Sequence, residues 1–199
     1  MRIISSYGTG RIQRNVNKLT INGTGVLLTA IYCAGLLTGG SLYLLFEPVR
    51  SFTDHIPIGT VLSFHFPELL MIMTIISLTA CSVIFCSGLS LAGYPGIYAA
   101  PYLIGTISGL LFLSMIGTGS AVSLIKFILF LPFYSAAVCV FLFLCEHACC
   151  MTRLLFREKG SREGEEIKKY AVRMVLLALI LIALNVLLCL IIVLLRQFN

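Results

Sequence analysis

Charge is scarce in this sequence. Only 11% of its 199 residues are Asp, Glu, Lys or Arg, 59% are apolar, and the mean hydropathy is +1.03. A water-soluble domain of this size carries far more charge, so that class is excluded. The period-2 alternation of a membrane β-strand is also missing, which excludes a barrel. The apolar runs themselves hold almost no ionisable residue, although membrane enzymes and ion-coupled transporters place such residues there. Glu68 and Glu146 lie at run ends, Lys126 can reach the surface, and the one conspicuous mid-run polar group is Asn185. No paired carboxylates, no Ser/His/Asp set and no phosphate-cradling loop can be assembled, so an enzyme is not expected. No cofactor is implied.

What is present is a series of five apolar runs, at roughly 24–46, 69–91, 95–117, 122–145 and 173–195. Each can cross a hydrocarbon core about 30 Å thick, and a span in lipid must satisfy its backbone internally, hence as a helix. The expectation is an all-α integral membrane protein forming a single membrane domain, 1–199. The first run is too long for the core of a cleaved signal and no small-x-small site follows it, so it reads as a retained signal-anchor. Eleven of the fourteen cations fall on one face, from Arg2 to Lys18 and from Arg153 to Arg173; Arg50, Lys126 and Arg196 fall on the other. The positive-inside bias places the N-terminus in the cytoplasm and the C-terminus outside.

Two linking segments are substantial. An external loop, 47–68, carries Pro48, Pro57 and Pro67 among apolar residues, reads as membrane-hugging, and has no cysteine, so no disulfide framework is expected. A basic cytoplasmic loop, 146–172, can pair Glu158 with Arg162, Arg162 with Glu166 and Glu165 with Lys169 along helical turns, and with Gly160 and Gly164 interrupting it reads as a solvated helical hairpin. Its cations suit anionic lipid head groups, with no nucleic acid implied. Just before it stands CEHACC, residues 145–150. Cys145, His147, Cys149 and Cys150 raise a metal or thiol-sensor reading, but one helical turn cannot wrap a metal alone. The simpler reading is cysteine as a small apolar residue, with no metal bound.

Glycine is where the spans become specific. Gly35 and Gly39 lie one turn apart on the first span, and Gly105 and Gly109 one turn apart on the third. Such pairs let helix backbones approach closely in lipid. Between the second and third spans lies only the turn at Gly93-Tyr94-Pro95. Glycine permits the turn and proline opens the next helix, where its missing N–H costs nothing. Pro132, inside the fourth span, is expected to kink it.

Gly88, Gly93 and Pro95, followed by Gly105 and Gly109 ten and fourteen residues after that proline, resemble the stage II sporulation protein M family. A glycine-rich first span (GLLTGGSLY), a proline in the fourth (FLPFY) and a basic stretch before the last agree. Ile104 stands where family members often have a cation, and Phe133 and Tyr134 where they often have a polar residue. The resemblance implies a bacterial cell-membrane protein at the sporulation septum or engulfing membrane. It implies a scaffold that does no chemistry and recruits two membrane-anchored cell-wall hydrolases, which thin septal peptidoglycan for engulfment. Its interaction surfaces would be the glycine faces and the 47–68 segment. The alternative is a small permease or transport-complex subunit, with a cavity near Pro132 and Asn185.

Overall fold

A computed structural model describes residues 6–49, 51, 66–90, 93–117, 121–157 and 163–196. Every described element of length is a helix: α1 (Ser6–Leu45), α2 (Phe66–Gly88), α3 (Tyr94–Gly117), α4 (Ala121–Arg157) and α5 (Glu163–Arg196). Each contains a stretch long and apolar enough to cross a membrane: Gly23–Leu45, Leu70–Gly88, Tyr94–Ser114, Phe127–Leu155 and Ile167–Leu194. The chain is an all-helical integral membrane protein with five candidate spans. Residues 52–65, most of the expected external loop, and 158–162, the middle of the basic one, lie outside the described residues.

The first three spans agree with the apolar runs to within a few residues, and the last two do not. Residues 146–157 continue α4 and 163–172 begin α5, so the basic segment is helical on both sides of 158–162 and lengthens the two spans it joins. Ala148, Cys149, Met151 and Thr152 in the α4 extension, and Tyr170 in that of α5, are buried. Burial of these residues keeps the helix intact past the point where polarity alone suggests it should stop. At 1.5 Å per residue α1, α4 and α5 are about 50–60 Å long, well beyond a 30 Å hydrocarbon core. α4 runs unbroken through Pro132, and the Ser135 hydroxyl donates to the Pro132 carbonyl at 2.8 Å. α3 likewise contains a fully buried Pro101.

α1 makes its most extensive contact with α3, and α4 touches all four other helices. α2 packs on α5 and α4, and more lightly on α3. The core therefore forms around α4. It comprises Leu28, Cys81, Ile84, Ile97, Phe141, Leu144, Cys145, Ala148, Cys149, Met151, Tyr170, Met174 and Leu181. Most of these lie toward the end of the bundle where α1, α3 and α5 enter their spans and α2 and α4 leave theirs. Large apolar side chains cover the outside: Val26, Met71, Ile76, Val83 and Val172 are all more than half exposed, as lipid-facing residues are.

Candidate functional site

Two features stand out, a glycine seam between α1 and α3 and a polar cluster at the end of the bundle. In the seam, a Cβ added at Gly35 would overlap the Tyr102 carbonyl oxygen, and one at Gly39 the Thr106 carbonyl oxygen. From the other side, a Cβ at Gly105 would overlap the Tyr32 carbonyl and one at Gly109 the Leu36 carbonyl. Residue numbers rise together along both helices, so α1 and α3 run parallel, with the two glycine pairs interlocked. Only hydrogen at these positions lets backbone touch backbone, which replaces lipid contact with dense van der Waals contact. The hydroxyl of Tyr102 reaches the Thr38 Oγ1 at 3.3 Å beside the seam.

The glycine faces are thus turned toward each other rather than outward. Gly88 and Gly93 sit elsewhere, at the end of α2. A Cβ at Gly88 would overlap the Tyr170 hydroxyl of α5 and press on the Ala148 Cα of α4. A Cβ at Gly93 would overlap the backbone of Ser87, so the turn needs this glycine for space rather than for a left-handed backbone. The turn is closed by bonds from the Leu89 amide to Cys86, from Ser90 to Ser87 and from Gly93 to Ser90, at 3.2–3.3 Å. Pro95 is the second residue of α3, where its missing N–H leaves nothing unsatisfied. Pro132 lies on the exposed side of α4, away from all of these.

Of the last four carbonyls of α2, those of Cys86 and Ser87 are met by the turn amides, and those of Phe85 and Gly88 by side chains. The Thr152 hydroxyl lies 3.0 Å from the carbonyl oxygens of both Gly88 and Ala148. The Tyr170 hydroxyl donates to the Phe85 carbonyl at 3.4 Å, and its ring stacks on Phe85 with centroids 5.3 Å apart. Close by, the Arg153 guanidinium donates to Thr24 Oγ1 at 3.0 Å and to the Tyr94 hydroxyl at 3.4 Å, joining α4 to α1 and α3. The Tyr98 hydroxyl donates to that of Tyr94 at 3.0 Å. Thr24 and Thr152 are buried, and Arg153 is exposed. Nothing in the spacing of Thr24, Thr152, Arg153 and Tyr170 marks them in the sequence; they meet only once all five helices pack together.

Deeper in the bundle are two further polar contacts. Asn185, buried on α5, donates to Ser77 Oγ at 2.7 Å and to the Met73 carbonyl at 3.3 Å on α2. Ser108, buried on α3, shares a 2.5 Å hydrogen bond with the Tyr134 hydroxyl on α4. Tyr134 is also the centre of an aromatic group with Phe112 and Phe130. Among the described residues every buried side-chain nitrogen and oxygen has a partner.

The cysteines divide by face. Cys145 and Cys149 are wholly buried in the core, while His147 and Cys150 are half-buried on other sides of α4. Among the described residues no group of three or more His, Cys, Asp or Glu is placed to hold a metal ion. All eight cysteines are free thiols.

No protein-family model, curated protein or solved structure matches the chain.

Proposed function

We propose that the chain is a non-enzymatic membrane scaffold of the kind the stage II sporulation protein M resemblance implies. It would gather membrane-anchored cell-wall hydrolases at the sporulation septum and the engulfing membrane of a bacterium. The observation that carries this reading is the glycine seam. Interlocked backbones make a stiff pair of spans, and stiffness is what a scaffold needs to hold partners in a set relation. Gly105 and Gly109, which belong to the resemblance, are half of that seam.

Because the seam's faces cover each other, partners would meet other surfaces. Those are the outward sides of α2 and α5 and the 47–68 segment. The proposed orientation is N-terminus in the cytoplasm and C-terminus outside, from the cation distribution. It would set the 47–68 segment on the cell-wall side, where hydrolases act.

The test is a mild-detergent pull-down of the tagged chain from host membranes, during growth and during starvation, with mass spectrometry of the recovered proteins. The expected outcome is peptidoglycan hydrolases recovered in sporulating cells. A preparation without hydrolases, or one carrying an ATPase, would replace this reading with that of a small permease or transport subunit.

A further inference from the structure

We propose that Arg153 binds the phosphate of an anionic phospholipid head group at the junction of α1, α3 and α4. This does not rest on the scaffold reading. The guanidinium is held in place by Thr24 and Tyr94, and both acceptors are neutral hydroxyls. A guanidinium has five N–H donors; Thr24 and Tyr94 take two and Tyr98 lies beside it, so donors remain for an outside acceptor, in a planar fork that matches a phosphate. The side chain is exposed rather than enclosed. Glu146, the carboxylate on the same helix, lies against Gly25, next to Thr24 in α1, and makes no ion pair with the guanidinium.

The surroundings favour a lipid over a soluble anion. Tyr94 and Tyr98 stand edge to face, 5.1 Å between centroids, with their hydroxyls at the same level, an arrangement suited to the head-group region. Within a turn of Thr24 and Arg153 the helices present exposed Val26, Leu27 and Leu154, apolar surface on which acyl chains can lie. Exposed Lys168, Lys169 and Arg173 at the start of α5 add positive charge at this end of a chain whose net charge is +6. Charge complementarity thus selects an anionic phospholipid, and the Arg153 fork gives it one particular seat.

The test is native mass spectrometry of the full chain released from micelles holding equal amounts of phosphatidylglycerol and phosphatidylcholine. The wild type is expected to keep phosphatidylglycerol preferentially. Arg153→Gln should lower that preference about tenfold, the loss of one charge-assisted hydrogen-bonded contact. Arg196→Gln, which removes a cation at the opposite end of α5, should leave it unchanged. An Arg153→Gln chain that keeps the preference, or an equal loss in Arg196→Gln, would overturn the site. So would inorganic phosphate adducts at Arg153 that the lipid does not displace, which assign a soluble anion instead. Should Arg153→Gln fail to fold, judged by circular dichroism and gel filtration, the wild type decides. A phosphatidylglycerol with a photoreactive head group should then cross-link to peptides containing Thr24, Tyr94 or Arg153, and cross-links confined to other peptides reject the proposal.

Discussion

At Gly39 an added methyl group would occupy the position of the Thr106 carbonyl oxygen, while at Gly164 it would meet nothing within 4 Å. The two glycines therefore respond oppositely to the same substitution. Alanine is a better helix former than glycine by about 1 kcal/mol, and at Gly164 that gain stands alone. At Gly39 the gain is set against overlap with backbone, which cannot rotate away as a side chain can. Overpacking of this kind costs about 1–3 kcal/mol and outweighs the propensity term. Gly39→Ala is thus expected to destabilise the chain and Gly164→Ala to leave it unchanged or slightly more stable, read as helicity lost on titration with SDS. Gly105→Leu, a larger change at the opposite side of the seam, should part α1 from α3 altogether.

Single elements show how burial extends a helix past its apolar run. Cys145 and Cys149 are placed by α4 against Cys81, Ile84 and Tyr170, with no exposed surface. Cys86, on the outer side of α2 one turn before the polar turn, is exposed. Under native conditions in detergent, a water-soluble maleimide should modify Cys86 and spare Cys145 and Cys149, as mapped by peptide mass spectrometry. A loop beginning at 146 would instead leave Cys149 reactive, so the labelling pattern separates a packed helix from a basic loop. The same packing explains why one hydroxyl, Thr152, can serve the end of a different helix: α4 persists far enough to pass beneath Gly88.

For the whole molecule, the decisive arrangement is the meeting of four helices around Arg153, Thr24, Tyr94, Thr152 and Tyr170 at one end. The residues that join them come from α1, α3, α4 and α5, and the helix ends they cap belong to α2. The Lys and Arg residues of α5's first turns lie at this same end, and Arg196 closes α5 at the other. If the cation-rich end is cytoplasmic, alkaline phosphatase fused after Arg196 should be active, and the same enzyme inserted between α4 and α5 should be inactive. The reverse pattern would invert the orientation and put the 47–68 segment inside the cell.

The sequence by itself determined the class and the number of spans, because transfer of about twenty apolar residues into lipid is a local property that needs no neighbour. Gly35, Gly39, Gly105 and Gly109 were legible as close-packing positions for the same reason, since a missing side chain is visible one residue at a time. Only the tertiary structure decided that these two pairs meet each other, which requires α1 and α3 to run parallel in register. It also decided that the helices at 146–157 and 163–172 pack into the bundle instead of forming a solvated hairpin, because the burial of Ala148, Cys149 and Tyr170 depends on which helices lie beside them. Arg153 belongs to the same category. Its partners are 129 and 59 residues away in the chain, and no spacing rule connects residues that only packing brings to one point.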